Sequence, residues 1–190
     1  TGNMRYSAKS REDFPAVGDW VLVKIYDDNF AVIHRILPRF SILKRRSSGK
    51  FLEVQVIAAN IDYAFIVQSV DRDYNINRLE RYLTICNSAK ITPIIILSKI
   101  DLINELELEA IVNKIKSRIS DVQIIPISNE TKKGYDELKA IIKKGKTYCV
   151  IGSSGVGKST LINNLYGNQK MQTETISESS KRGKHKTTHR

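Results

Sequence analysis

Cysteine is scarce in this sequence of 190 residues, which contains only two. Cys86 and Cys149 stand among apolar residues and lack the Cys-x-x-Cys spacing of redox and metal motifs. This pattern argues against a disulfide framework and against a cysteine-based metal site. We expect two buried thiols.

Long apolar runs are missing as well. No segment approaches the roughly 18–20 apolar residues that a membrane-spanning helix requires. The first residues, Thr1–Arg5, provide no apolar core for a signal peptide. We therefore expect a cytoplasmic protein that has no membrane partner.

The composition is that of a globular protein with a basic excess. Hydrophobic residues make up 41% of the chain and charged residues 27%, so a packed core is expected. The 31 Lys and Arg outnumber the 20 Asp and Glu mainly at the two ends, because residues 61–145 carry 13 basic and 12 acidic side chains. The basic ends either contact a polyanion, with nucleic acid favoured over a membrane, or only keep the chain soluble. Charge alone leaves both explanations open.

Residues 1–60 have the pattern of a small β module. Short β-like runs occupy residues 17–23, 30–33 and 51–57, and the sequence Asp27-Asp28-Asn29 predicts a hairpin turn between the first two. The polar stretch 43–50 predicts an exposed loop. Trp20 lies in an alternating run and is predicted to be a core residue.

Residues 61–190 alternate apolar strands with helices. Strand-like runs occur at residues 61–67, 94–97, 122–127 and 148–151. Between them, apolar residues recur at helical spacing, as in Ile76, Leu79, Leu83 and Cys86. This alternation predicts an α/β domain with a parallel sheet.

The strongest motif is a phosphate-binding loop between the last strand and the last helix. It matches G-x-x-x-x-G-K-[ST] in the expected strand and helix context, with the residues Gly152, Ser153, Ser154, Gly155, Val156, Gly157, Lys158, Ser159 and Thr160. The glycines let main-chain N–H groups point inward and surround phosphate. Lys158 is predicted to neutralise the β- and γ-phosphates and Ser159 to bind Mg²⁺. Thr160 lies one position further along the helix and is predicted to have a structural role.

Ser98-Lys99-Ile100-Asp101 follows the strand ending at Leu97 and resembles the guanine-recognition motif N-K-x-D. An ionised Asp101 can accept hydrogen bonds from N1–H and the 2-amino group of guanine, whereas adenine offers neither donor. The stem of Lys99 could lie along the base. The usual Asn bridges the base and the phosphate loop, so Ser98 predicts weaker nucleotide binding with guanine preference retained. The alternative for Asp101 is a helix N-cap.

Ser128 and Asn129 follow the next strand, at the place where GTPases carry a short S-A element whose backbone N–H contacts the guanine O6 atom. Ser98, Ser128 and Gly152 each close one of three successive apolar strands. In a parallel sheet the carboxyl ends of the strands meet at one edge, so these residues are expected at a common rim.

The order of the motifs is permuted, because Asp101 precedes Lys158 whereas ordinary GTPases have the phosphate loop first. With a β module in front, the chain resembles the circularly permuted, ribosome small-subunit-dependent GTPases of the RsgA/YjeQ family. The resemblance covers nearly the whole chain and includes, besides the nucleotide motifs, the segments Val17–Val21, His34–Arg39, Val56–Asp62 and Asn77–Leu83.

This resemblance implies an incomplete OB-like β-barrel over residues 1–60 and a circularly permuted P-loop GTPase α/β domain over residues 61–190. It implies the cofactors GTP or GDP and Mg²⁺, the small ribosomal subunit with its rRNA as partner, and a monomer. Thr187 and Thr188 are candidates for the switch threonine that binds Mg²⁺ and senses the γ-phosphate; the alternative for residues 184–190 is a plain basic tail.

Two features of the family do not occur in this sequence. There is no D-x-x-G motif, and there are no cysteine and histidine ligands for the zinc of the family's C-terminal domain. We therefore expect a fragment or a chain with further segments, and no GTP hydrolysis by these 190 residues alone.

A basic face on the β module is predicted to bind RNA phosphates, with Phe40 available for stacking. Its candidate residues are Arg35, Arg39, Lys44, Arg45, Arg46 and Lys50. The predicted function is GTP binding and hydrolysis in late maturation of the small ribosomal subunit. The alternatives are an RNA-binding module with a degenerate nucleotide site and a P-loop ATPase or kinase, which is less favoured because Asp101 has no comparable role with adenine.

Overall fold

The structure is a computed structural model that describes residue 8 and residues 10–46 and 54–167, with Arg45 and Arg46 described by their backbone alone. The chain divides into two compact units. One contains Thr1–Asp62 and Ile85–Ile91, and the other contains Tyr63–Thr84 and Thr92–Arg190.

The first unit contains two antiparallel strand pairs. Strand β1 (Val21–Asp27) pairs with β2 (Phe30–Ile36), and β3 (Ile42–Arg46) pairs with β4 (Val54–Ala59). The predicted hairpin turn is confirmed, and there the Asn29 N–H donates to the Asp27 carboxylate at 2.9 Å. Over the described residues the two pairs form separate two-stranded sheets. The OB-like barrel therefore stays a prediction.

Strand β3 contradicts the loop predicted for residues 43–50 over the part that the structure describes. Leu43 is only 5% exposed, and the strand pairs with β4 from Ile42 to Arg46. Pairing with a strand that lies further along the chain overrides the polar local composition. Strand formation depends on such neighbours more than on the local sequence. The rest of the predicted loop, and residues 51–53 of the predicted third strand, lie outside the described residues.

Trp20 also contradicts its prediction, because its side chain is 70% exposed. It lies just before β1, and its main-chain oxygen accepts a hydrogen bond from the Leu37 N–H at 2.8 Å. Alternation along a strand identifies two faces but does not say whether a second layer covers either of them. Ile25, Tyr26 and Phe30 on the same hairpin are exposed as well.

The second unit is built on a four-stranded parallel sheet with the spatial order β7-β6-β5-β8. The described elements from Tyr63 on, in chain order, are β5 (Tyr63–Ser69), α1 (Ile76–Ser88), β6 (Thr92–Ser98), α2 (Glu105–Arg118), β7 (Gln123–Pro126), α3 (Tyr135–Ala140), β8 (Tyr148–Gly152) and α4 (Lys158–Tyr166). The end of α1, from Ile85 on, is counted with the first unit. The predicted parallel α/β arrangement is therefore present.

Helical spacing identified the buried face of α1. Ile76, Leu79, Leu83 and Cys86 of α1 are all buried, as predicted. Burial raises the pKa of the Cys86 thiol to about 11, so this cysteine stays a protonated, inert thiol. Cys149 in β8 is only partly buried, so the expectation of two buried thiols is right for Cys86 alone.

Both faces of the parallel sheet are covered. Phe65 and Val67 of β5 belong to an apolar cluster that includes Leu138 of α3 and Leu161 of α4. Ile66, which alternates with them and therefore faces the other side, is also fully buried. A sheet covered on both faces leaves its strand ends as the place for polar side chains. No helix in the described part of the chain is long and apolar enough to cross a membrane.

Candidate nucleotide-binding site

The carboxyl ends of three parallel strands bring the predicted polar residues to one rim of the sheet. Ser98 ends β6 and is in register with Ser69 of β5, whose Val67 is in register with Gly152 at the end of β8. Ser128 follows β7 and lies close enough to hydrogen-bond Asp101. The structure thus places the three strand-closing residues as their sequence positions predicted.

The turn from β8 into α4 uses glycines where other residues would not fit. Gly155 and Gly157 have φ angles of 78° and 92°, in the left-handed region that favours glycine. A Cβ atom on Gly152 would strike the Val67 carbonyl oxygen, and one on Gly157 would lie too close to the Asn129 amide. This close backbone approach makes the narrow loop that a phosphate group needs.

Lys158 lies folded over the loop that precedes it. Its Nζ atom donates to the main-chain oxygens of Gly152, at 3.0 Å, and of Ser153. Burial lowers the pKa of Lys158 from its ordinary value. A half-buried cation at the start of a nine-residue helix gives this loop a positive field suited to phosphate.

Ser159 and Thr160 occupy the first turn of α4, and both are partly exposed. Ser159 offers one hydroxyl oxygen, which fits Mg²⁺ because this ion takes its other ligands from phosphates and water in such sites. No cluster of three His, Cys, Asp or Glu side chains that could hold a metal occurs within the described ranges. Thr187 and Thr188, the predicted further Mg²⁺ ligands, lie outside those ranges.

The residue that ends β6 contacts the phosphate loop. The Ser98 side chain is fully buried, and its hydroxyl donates to the Val156 main-chain oxygen at 2.7 Å. Ser98 therefore keeps the contact with the phosphate loop that is expected of the usual Asn at this position. The predicted effect of Ser98 on the strength of nucleotide binding stays a prediction.

Lys99 adopts a left-handed backbone conformation with φ of 63° and forms an ion pair with Asp71, with Nζ 2.7 Å from the carboxylate. Burial raises the pKa of Asp71, but hydrogen bonds from Lys99, Ser69 and the Asp73 N–H, together with the Lys99 charge, hold it below its ordinary value. Asp71 was missed in the sequence, where its only signal is its position two residues after β5.

Asp101 lies in a short 3-10 turn, Ile100–Leu102, and is exposed at the rim. Its carboxylate accepts a hydrogen bond from the Ser128 hydroxyl. The N-cap of α2 is Asn104, which forms a reciprocal capping box with Glu107. The alternative reading of Asp101 as a helix N-cap is therefore wrong, and its carboxylate remains available to accept further hydrogen bonds.

Asn129 contacts the phosphate loop through its side chain. Its amide nitrogen donates to the Gly157 oxygen at 3.1 Å, and its amide oxygen accepts from the Tyr135 hydroxyl at 2.7 Å. Asn164 of α4 donates to both the Asn129 main-chain oxygen and the Tyr135 hydroxyl. Sequence reasoning assigned Asn129 a backbone contact with guanine and missed Tyr135 and Asn164, which carry no motif.

A further contact reaches the phosphate loop from α1. Arg78 donates to the Ser153 hydroxyl at 2.8 Å and to the Asp73 main-chain oxygen at 3.4 Å. The sequence placed Arg78 within a family-typical segment without a role. In the structure it fixes the side chain at the first variable position of the loop.

Arg39 does not belong to the predicted RNA-binding face. Its guanidinium forms a two-bond ion pair with Asp19 at 2.7 and 2.6 Å, and it also donates to the main-chain oxygens of Glu12 and Phe14. The side chains of Arg39 and Asp19 are only 9% and 1% exposed. The prediction for Arg39 is wrong because its hydrogen-bond donors already serve the fold of this unit.

The other predicted RNA contacts have varied surroundings. Arg35 is exposed on β2, and Phe40 is exposed as well. Lys44 forms an exposed ion pair with Glu12 at 2.8 Å, which offsets part of its charge. Arg45 and Arg46 lie in β3 and their side chains are outside the described part, as is all of Lys50.

Comparison with known proteins confirms the resemblance that the motifs indicated. The model of the family described as RsgA GTPase matches residues 36–190. The small ribosomal subunit biogenesis GTPase RsgA 1 of Oceanobacillus iheyensis is 40% identical over 190 residues, covering 100% of this chain and 54% of the relative. RsgA 2 of Lactiplantibacillus plantarum is 42% identical over 194 residues, covering 100% of this chain and 53% of the relative. This chain thus spans about half the length of these relatives.

Two solved structures share the fold. The crystal structure of YjeQ from Thermotoga maritima superposes with a TM-score of 0.69 at 25% identity, over 92% of this chain and 57% of that chain. YloQ, described as a circularly permuted GTPase, gives a TM-score of 0.57 at 30% identity, over 79% of this chain and 50% of that chain. The permuted motif order, the parallel sheet and the matched family model agree, and the chain belongs to the RsgA GTPase family.

Proposed function

We propose that this chain is the guanine-nucleotide-binding part of a GTPase that acts in biogenesis of the small ribosomal subunit. The observation that carries the proposal is the meeting of an exposed carboxylate, Asp101, with a glycine-rich phosphate loop at one rim of a parallel sheet. The names of its relatives, small ribosomal subunit biogenesis GTPases, support the biological role.

In the proposed complex, the two ends of GTP are held by different loops. Main-chain N–H groups of residues 152–158 and the Lys158 ammonium surround the phosphates. To do so, Lys158 gives up its bonds to the Gly152 and Ser153 oxygens and binds phosphate oxygens instead. The Asp101 carboxylate accepts hydrogen bonds from guanine, and Ser128 holds it in place. The Asn129 backbone N–H is directed to the guanine O6 atom.

Hydrolysis is attack of water on the γ-phosphorus with release of GDP and phosphate, so the enzyme must stabilise charge that develops on phosphate oxygens. Lys158 does so from the loop. Mg²⁺ would add positive charge beside the phosphate oxygens on which negative charge develops. Ser159 would hold it together with Thr187 or Thr188. The other nucleotide-binding residues, Ser98, Lys99, Ser154, Gly155, Val156 and Thr160, shape and orient the site.

The first unit provides the proposed contact with ribosomal RNA. We assign residues 1–60 to an OB-like barrel and residues 61–190 to the permuted GTPase domain of a monomeric, cytoplasmic protein. Arg35, Lys44, Arg45, Arg46 and Lys50 are the proposed phosphate contacts, and Phe40 is the proposed stacking platform. The exposure of Arg35 and Phe40 supports this assignment.

The first prediction tests the base-reading carboxylate. Asp101→Asn replaces one acceptor oxygen with a donor, so we expect GDP to bind at least tenfold more weakly. Xanthosine diphosphate, which has a carbonyl where guanine has its 2-amino group, should gain affinity. Titration of a fluorescent GDP analogue, with competition by unlabelled GDP, xanthosine diphosphate and ADP, measures all three affinities.

The matched control is Asp121→Asn, which changes an exposed carboxylate outside the site and should leave every affinity unchanged. Equal competition by ADP and GDP against the unaltered chain would contradict guanine recognition. Absence of saturable GDP binding at tens of micromolar would instead favour an RNA-binding module with a degenerate site. Phosphate release from GTP by the full-length protein, with and without small subunits, tests the ribosomal part of the proposal.

A further inference from the structure

Two successive carbonyl groups of the phosphate loop are held by side chains from the base-reading loops. The Ser98 hydroxyl, after β6, donates to the Val156 oxygen at 2.7 Å. The Asn129 amide, after β7, donates to the Gly157 oxygen at 3.1 Å. Both donor side chains are buried, so each bond lies where water competes little.

These two bonds set the direction of the neighbouring N–H groups. No described peptide bond is cis, and in a trans peptide the carbonyl of one residue and the N–H of the next point in opposite directions. Holding the Val156 and Gly157 carbonyls toward the base-reading loops therefore turns the N–H groups of Gly157 and Lys158 away from those loops. Main-chain N–H groups of this kind form the anion-binding concavity of a phosphate loop.

The Gly157 oxygen accepts twice, which shows that the Asn129 bond is additional to helix formation. The Leu161 N–H donates to it at 2.9 Å as the first turn of α4 begins. A carbonyl oxygen has two lone pairs, and Asn129 uses the second. Removal of the Asn129 amide therefore leaves the helix intact and removes one restraint on the loop.

The orientation of the Asn129 amide is itself fixed by a network. Asn164 donates to the Tyr135 hydroxyl at 2.9 Å, so the hydroxyl hydrogen is free to be donated to the Asn129 amide oxygen at 2.7 Å. That leaves the Asn129 nitrogen directed at Gly157. A network in which each member is satisfied holds one rotamer of a side chain.

We propose that Asn129 is a positioning residue that preforms the phosphate loop and shares with Ser98 the task that a single Asn performs in the N-K-x-D motif. Ser98 holds the Val156 carbonyl and Asn129 holds the Gly157 carbonyl, both from loops next to the base-reading Asp101. Base recognition and phosphate binding are thereby joined through Ser128 and Asn129, which are consecutive. The consequence for nucleotide affinity rests on the proposed function; the order of the loop does not.

The test compares Asn129→Ala, Ser98→Asn and the double variant in the 190-residue chain. Asn129→Ala removes the amide and produces the S-A pair that GTPases carry at this position. The first readout is the NMR order parameter of the Gly155, Gly157 and Lys158 N–H groups without nucleotide. We expect these order parameters to fall in Asn129→Ala and to recover in the double variant, where an Asn at position 98 restores an amide bridge.

The second readout is the affinity for GDP compared with GMP, which lacks the β-phosphate that the loop surrounds. We expect Asn129→Ala to weaken GDP binding about three- to tenfold, the size of one net hydrogen bond. GMP should weaken less, and Ser98→Asn should restore most of the loss for GDP. Asn129→Asp keeps the shape and the acceptor for Tyr135 but lacks the donor, so it should lower GDP affinity by at least as much.

Unchanged order parameters in both Asn129 variants would overturn the proposal, as would equal losses for GDP and GMP without rescue by Ser98→Asn. Circular dichroism and thermal unfolding show whether each variant folds. If Asn129→Ala does not fold, the order parameters and affinities of Asn129→Asp decide the role of Asn129. If the unaltered chain binds neither nucleotide, the proposed function fails while the order parameters still decide the role of Asn129.

Discussion

At the scale of single residues, the pair of Arg39 and Asp19 shows how a charged side chain becomes part of a fold. Arg39 makes four hydrogen bonds, two of them to Asp19. Removing two charges from water is costly, and only such complete pairing offsets that cost. The charge of Arg39 is therefore used within the first unit and contributes little to an external field.

The second prediction follows from this burial. Arg39→Ala leaves Asp19 buried without its partner, so we expect the free energy of unfolding to fall by about 3–5 kcal/mol. Lys44→Ala breaks the exposed pair with Glu12 and should cost less than about 1 kcal/mol. Urea unfolding followed by circular dichroism measures both.

The pH dependence of these variants checks the cause. Burial raises the pKa of Asp19, but the hydrogen bonds from Arg39 and the Ala16 N–H and the Arg39 charge lower it more, so it lies below the ordinary 3.8. The folded state then binds fewer protons than the unfolded state, and this stabilisation, present above pH 3.8, is lost as the pH falls through the folded pKa. The penalty of Arg39→Ala should therefore shrink at pH 3. A loss of unfolding free energy in Arg39→Ala that is below about 1 kcal/mol at pH 7, or that does not change with pH, would contradict a stabilising role for the buried ion pair.

At the scale of elements, the spacing of apolar residues predicts the features that depend on local geometry alone. The buried face of α1 follows from the helical repeat, so Leu79 and Cys86 were identified correctly. Strand β3 exists because it pairs with β4, and nothing in its charged sequence reports that partner. The same distinction explains why Trp20 was misplaced, since the covering of a hairpin face is a tertiary property.

The candidate site divides in the same way. Ser98, Ser128 and Gly152 were placed correctly because each closes a strand of one parallel sheet. Asn129 and Gly157, which are 28 residues apart, touch because of how two loops pack. Such contacts need side-chain positions and three-dimensional proximity, which spacing along a sequence does not encode.

The phosphate loop provides the third prediction. Gly157→Ala puts a methyl group against the Asn129 amide at a φ of 92°, so we expect GDP affinity to fall more than tenfold. Gly145→Ala is the matched control, because its φ of 77° imposes similar backbone strain with no atom within 4 Å. Both variants should lose about 1 kcal/mol or more of stability, whereas only Gly157→Ala should lose nucleotide binding. Isothermal titration with GDP measures the two affinities. An equal loss of GDP affinity in both variants would mean that backbone strain alone weakens binding.

At the scale of the whole molecule, the order of motifs along the chain is separate from their order in space. Strand β8, the last strand that the structure describes, lies beside β5, the first strand of the parallel sheet, and β6 and β7 follow on the other side. The site depends on which strand ends are adjacent, so a permuted chain can place a phosphate loop and a base-reading loop at the same rim. Permutation changes only the connections between strands.

The distribution of charge gives the last prediction, which rests on the proposed contact with ribosomal RNA. Each side chain that neutralises a phosphate releases close to one counterion, so it adds about one to the slope of log affinity against log salt. Arg35→Gln should therefore weaken binding to small subunits and lower this slope by about one. Lys116→Gln, on the exposed face of α2, removes the same charge from the chain and should leave the slope unchanged.

Binding measured between about 50 and 200 mM salt distinguishes the two variants. Unaltered GDP affinity in each variant confirms that the second unit is intact. Equal slopes for Arg35→Gln and Lys116→Gln would mean that the net charge of +11, rather than a defined face, attracts the RNA.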